Sequence, residues 1–293
     1  MGFVTNRKIL RGSQTANRVK GVCVATLLVI VGGCTTWRSS DHLPDKSRWE
    51  LGPLTVYADF RLPRQHRLLD DVVALRTRLG QRLAISPGDQ PINVYLFDDP
   101  RVFRRVLQQR FPELADRRAL FLKTDTQLAI FGQWGDTLAE DLRHEATHAY
   151  LHSVIPDLPL WLDEGLAEYF EVASDLDGFH ERHIDWLVDQ YRQRLWSPNL
   201  HRLESLSRPQ EMTQTDYAEA WLWVHFMQHD SPETLAVLRE SLAELQATSD
   251  AQMLVSHLLD RIPEAGGRLL DHLHELSQSD GGTTTASSVV LHP

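Results

Sequence analysis

Cysteine is nearly absent from this chain. Cys23 and Cys34 are the only two, so nothing after residue 34 can close a disulfide, and the fold must stand on its hydrophobic core. The uncharged run "GVCVATLLVIVGG" (21–33) is too short to cross a bilayer as a helix, which takes about 20 residues. Acids are missing from the first 33 residues, which carry Arg7, Lys8, Arg11, Arg18 and Lys20. Beyond them the balance reverses: 30 less 5 leaves 25 basic residues against 40 acidic, a formal charge of −15. That charge argues against nucleic acid as a partner and against a polybasic grip on anionic lipid. No internal repeat is visible. With 42% hydrophobic and 24% charged residues, the composition is globular, with length for one large or two modest domains.

The basic segment, the apolar run and small residues before Cys34 follow one another in the order of a secretory signal. "VGGC", ending at Cys34, resembles the bacterial lipobox, which implies cleavage before Cys34 and a lipid on that cysteine as the membrane anchor. Thr35 rather than Asp follows. The resemblance therefore implies a cell-envelope location, on the outer membrane facing the periplasm rather than the inner membrane.

The rest divides by pattern. Residues 34–50 read as a polar tether, 51–276 as the folded domain, and 277–293, rich in Ser, Thr and Gly, as a disordered tail. "PLTVYADF" (53–60) alternates as a strand, and "INVYLF" (92–97) reads as another. Leu68, Leu69, Val72, Val73, Leu75, Leu79 and Leu83 make the apolar stripe of a helix over about 64–83. A short helix over 100–111 precedes "ALFLK" and "QLAIF", a hairpin turning at "TDT". From 137 on the pattern is helical. The fold class predicted is α+β: a small mixed sheet in 51–136, then a mainly helical half in 137–276.

"HEATH" (144–148) is an H-E-x-x-H pattern. On a helix His144 and His148 lie one turn apart on one face and reach a single ion, while Glu145 stands beside them to act on a metal-bound water. Chance alone would place such a pattern in roughly 4% of shuffled chains of this composition. A catalytic zinc needs a third protein ligand. A ligand from the same helix end, in the metzincin manner, would require Gly and His where Leu151 and Val154 stand. The other source is a second helix: Pro156 and Pro159 turn the chain, and Glu164 follows in "LPLWLDEGLAEYF" (158–170), with Gly165 permitting a close approach.

"HEATH" followed by "WLDEGLAEYF" resembles the gluzincin zinc metallopeptidases, the superfamily of thermolysin and aminopeptidase N, over about 119–230. The resemblance implies Zn²⁺ held by His144, His148 and Glu164, with Glu145 as general base and a peptide or protein as substrate. It also implies an oxyanion donor. Tyr217, opening the helix "DYAEAWLWVHFM" (216–227), fits that role, with His180, His183 and His201 as weaker candidates. The strand at 127–131 would correspond to the superfamily's edge strand over the cleft, unless it is internal. Glu168, one turn past Glu164, is placed either to orient a ligand histidine or to face solvent. His152 reads as a surface or supporting histidine, and His225, Trp221, Trp223 and Phe226 as core.

The chain departs from the aminopeptidase pattern in lacking a G-x-M-E-N segment, which favours an endopeptidase over an exopeptidase. Two other readings keep the same residues. One is a silent envelope lipoprotein that binds or assembles; the other is an amidase acting on a non-protein envelope polymer.

Overall fold

The computed structural model describes residues 29–31, 43–248 and 253–279. Cys34, most of the segment before it, the first part of the tether and the tail beyond 279 lie outside the described residues. The architecture is α+β, as the change of pattern near 137 predicts.

The sheet is mixed. Its strands are β1 (Val29–Val31), β2 (Ser47–Leu51), β3 (Leu54–Ala58), β4 (Ile92–Phe97), β5 (Ala119–Thr124) and β6 (Leu128–Gln133), in the spatial order β1-β5-β6-β4-β3-β2. The β2–β3 and β5–β6 pairs are antiparallel hairpins, and β3–β4 and β4–β6 are parallel. β2 draws on residues predicted to be tether: Ser47 Oγ donates to the carbonyl of Phe60, and Trp49 Nε1 to that of Leu62. β6 lies between β5 and β4, so the segment 127–131 is an internal strand and not the edge over the cleft. β5 lies one strand further out, bordered on its other side by Val29–Val31 in parallel among the described residues.

Period-2 alternation divides the side chains of β4, β5 and β6 between two different cores, while β3 buries one face. Leu54, Val56, Ile92, Val94, Leu128 and Ile130 face the main core, under α1 (Arg67–Leu83) and α3 (Leu138–His152). Phe97, Leu120, Leu122, Ala129 and Phe131 face the other way, under α2 (Pro100–Arg110). The stripe of α1 is buried as predicted except for Val73, which is 41% exposed.

The helical half continues with α4 (Leu160–Glu171), α5 (Glu181–Arg192), α6 (Leu200–Glu204), α7 (Gln214–His229), α8 (Pro232–Thr248), α9 (Met253–Arg261) and α10 (Ala265–Ser279). α7 is its axis, buried from Asp216 to Gln228, with Trp221, Trp223 and Phe226 in the core. A capping box starts it: Thr213 Oγ1 accepts from Asp216 N, and the Asp216 carboxylate accepts from Thr213 N. Ser231 caps α8 through Thr234 N. No helix among the described residues is long and apolar enough to cross a membrane.

α4 lies between α3 and α7, and Gly165 sets its distance from α7. A Cβ built there would stand 2.6 Å from the Ala220 carbonyl oxygen and 2.8 Å from its carbon, both backbone atoms that cannot rotate aside. Gly165→Ala is therefore expected to lower stability by about 1–3 kcal/mol, as overpacking does. Denaturant unfolding would check this, and an unchanged midpoint would remove the argument for backbone contact.

α10 joins α7 through a buried imidazole pair, His225 Nδ1 to His272 Nε2 at 2.8 Å. Burial pushes His272 down to about 4 and His225 well below the ordinary histidine value. Below about 6.5 the unfolded chain therefore takes up protons that the folded chain refuses, so stability falls as pH drops towards 4. The thermal midpoint is expected to decline between pH 7 and 5, with a shallower slope in His272→Gln. Equal slopes in the two proteins would exclude this pair as a source.

Candidate metal centre

Two helices supply the centre. α3 ends at His152, the chain turns through Pro156 and Pro159, and α4 begins at Leu160, so the two run side by side. His144 and His148, one turn apart, face Glu164, in the second turn of α4. Their Nε2 atoms are 3.3 Å apart, and each is 3.7 Å from Glu164 Oε2. Three ligands around a tetrahedral zinc stand about 3.3–3.5 Å from one another. Three such donor atoms, each from a side chain at most 1% exposed, have the spacing a metal requires.

The histidine tautomers support the same conclusion. His148 Nδ1 is 2.8 Å from Asp163 Oδ1, and His144 Nδ1 is 2.8 Å from Glu171 Oε2. An ionised carboxylate only accepts, so each Nδ1 carries the proton and each Nε2 presents a lone pair. The Glu164 oxygens, fully buried, accept no hydrogen bond from any described residue. Two imidazole lone pairs and a carboxylate then converge with no donor among them. Without a cation the site answers by taking a proton. Burial alone would lower His144, but its contacts with Glu164 and Glu171 outweigh that and raise it well above the usual range. A metal ion competes for the place of that proton.

The supporting carboxylates are Asp163 and Glu171, a pairing that sequence did not reveal. Burial by itself would raise both, but Asp163 is brought down below the usual carboxylate range by His148 and His152, and Glu171 by His144 and His180. His152, read as a surface or supporting residue, is buried and holds Asp163 from the far side, Nε2 to Oδ2 at 2.9 Å. Phe121 of β5 stacks over His148 and His152 with ring centroids 6.2 and 5.8 Å away, so the sheet bears directly on the metal helix. Arg143 ties the end of α4 to α3 and α1, donating to the Glu171 carbonyl and to Asp71 Oδ2.

Glu145 follows His144 on α3 and is fully buried, which raises its carboxyl above the usual value. That shift moves it towards the neutral range suited to a general base. Tyr217 is buried in the first turn of α7, the helix packed against α4. The other donor candidates part company: His201 is exposed on α6, whereas His180 and His183 are buried and directed at carboxylates. Glu168, weighed as the orienting partner of a ligand histidine, meets His183 instead, and Glu171 takes the role at His144. Glu171 lies seven residues beyond Glu164, two turns along the same face. That period was available in the sequence, but the partner was not.

A family profile described as "Protein of unknown function (DUF1570)" matches residues 139–247, from the first turn of α3 to the last turn of α8. No curated protein matches the chain at a significant level.

Asp163→Asn removes the acceptor that orients His148 while preserving shape. Metal affinity is expected to weaken about 10–100-fold. Competition with a chromophoric chelator would measure this, and an affinity equal to wild type would show that Asp163 does not orient the ligand.

Proposed function

We propose that this chain is a zinc metallopeptidase of gluzincin type that cleaves peptide bonds at the cell envelope, as an endopeptidase, anchored through lipid on Cys34. One observation carries the reading: His144 Nε2, His148 Nε2 and Glu164 Oε2 converge within 3.3–3.7 Å beside the buried Glu145. Two imidazoles and one carboxylate are the donor set of a hydrolytic zinc that keeps an open position. Bound there, zinc supplies Lewis acidity and renders a water nucleophilic near neutral pH.

The protein groups do the rest. Glu171 and Asp163 hold the Nδ1 protons of His144 and His148 and so keep both Nε2 atoms turned inward. Glu145 takes the proton of the attacking water and passes it to the leaving amine. Tyr217 is the proposed donor to the carbonyl oxygen as negative charge develops on it. β5, beside α3, offers an outer edge on which an extended peptide can lie. Val29–Val31 pairs along that edge in the full chain, and removal of residues 1–33 with a signal would clear it.

The test is zinc analysis of the full chain extracted in detergent, with cleavage of a quenched casein followed in parallel. Glu145→Gln is expected to keep zinc and lose about 10²–10⁴ of the rate. Glu164→Ala is expected to lose zinc. Folded wild type without zinc would defeat the proposal, as would Glu145→Gln cleaving at the wild-type rate. Zinc retained with no cleavage of any peptide would favour a binding role.

A further inference from the structure

Beyond the residues that this reading employs lies a second buried cluster, built from two helices by the same spacing rule. On α4, Glu168 and Glu171 are three residues apart and share a face. Opposite them stand His180, the residue that caps α5, and His183 in its first turn, again three apart. Paired donors at this spacing on facing helices are how helix bundles assemble metal sites.

We infer that Glu168, His180 and His183 form a second divalent-cation site, with Glu171 at its border with the first. His183 Nε2 is 2.8 Å and His180 Nε2 3.8 Å from the same oxygen, Glu168 Oε2, distances that bracket the separation of two ligands on one tetrahedral ion. The three donor atoms lie within 4.8 Å of one another. The two rings stack with centroids 3.8 Å apart and planes 22° from parallel, and both Nε2 atoms are directed at the α4 carboxylates. His180 Nε2 also meets Glu171 Oε1 at 2.9 Å, so a fourth donor borders the cluster.

Charge favours a cation here. Glu168 and Glu171 lie three residues apart on α4 and both are buried, so two carboxylates share a space with little access to water. Imidazole with carboxylate selects zinc-like ions over calcium or magnesium, which prefer all-oxygen shells. These residues are 5–6% exposed, against 0–1% for His144, His148 and Glu164. A third grouping, His144 with Glu168 and Glu171, reuses atoms of the other two and is not independent.

The experiment counts ions. The full chain in detergent is stripped with chelator, loaded with excess cobalt(II), desalted and analysed for cobalt, with visible absorption recorded and circular dichroism confirming the fold. The wild type is expected to hold about two ions, and His183→Gln, Glu168→Gln and Glu164→Gln about one each. One ion that survives His183→Gln and Glu168→Gln but is lost in Glu164→Gln would overturn this inference and leave the first site standing. One ion lost in His183→Gln but kept in Glu164→Gln would uphold it and overturn the proposed catalytic set. No ion in a folded wild type would overturn both.

Discussion

The constraint on which the helical half depends is the burial of the Glu164 carboxylate. A carboxylate removed from water without a hydrogen bond is among the costliest groups a fold can hold. Here it faces two imidazole nitrogens that the neighbouring carboxylates have already turned into acceptors. Only a cation satisfies the three together, whether a proton shared within the cluster or a metal ion. Any ion bound at this place would therefore add to folding free energy, since the unfolded chain holds no such cluster. The packing serves the same end. Gly165 brings α7 against α4, and Asp163 and Glu164 are carried into the space between α3 and α7.

The acidity of α4 follows from this arrangement. Asp163, Glu164, Glu168 and Glu171 all lie on a helix with almost no solvent contact, where four carboxylates would ordinarily repel one another out of a helix. Each is opposed by histidines. Asp163 meets His148 and His152, Glu171 meets His144 and His180, and Glu168 meets His183. Histidine suits the task better than arginine or lysine because one ring nitrogen answers the carboxylate while the other remains free for an ion or a second partner. The result is a continuous run of alternating acid and imidazole from His152 at the end of α3 to His183 on α5.

Much of this was legible in the sequence, for identifiable reasons. Period-2 and period-3.6 patterns placed β3, β4 and α1, because those elements each bury one face. "HEATH" and the Glu sixteen residues later named the three donors that do converge, because i,i+4 spacing and a proline-bounded turn nearly determine the geometry. What stayed hidden needed tertiary contact. Four of the five residues of β2 fall in the segment that reads as tether, because the polar stretch around them masks a strand that is at most half-buried. The internal position of β6 depends on strand order, which pairing along the chain does not encode. The sequence points to Glu168, one turn beyond Glu164, whereas the packing of α3 on α4 brings Glu171, two turns on, to His144.

The extent of the family match bears on which part of the fold forms a unit. Residues 139–247 contain the three convergent donors, both orienting carboxylates, Gly165, the second histidine pair, the whole of α7 and all but the last residue of α8. The sheet from β2 to β6 lies outside them, as do α9 and α10. Yet the sheet is in contact with the site, for Phe121 covers His148 and His152, and Lys123 Nζ holds the Pro156 carbonyl in the turn between α3 and α4. Helices alone can bring the donors together. β5 and the turn that Lys123 holds pack against them from the sheet side. In such a division the convergent donors belong to the helical unit, and the sheet supplies packing against them from β5.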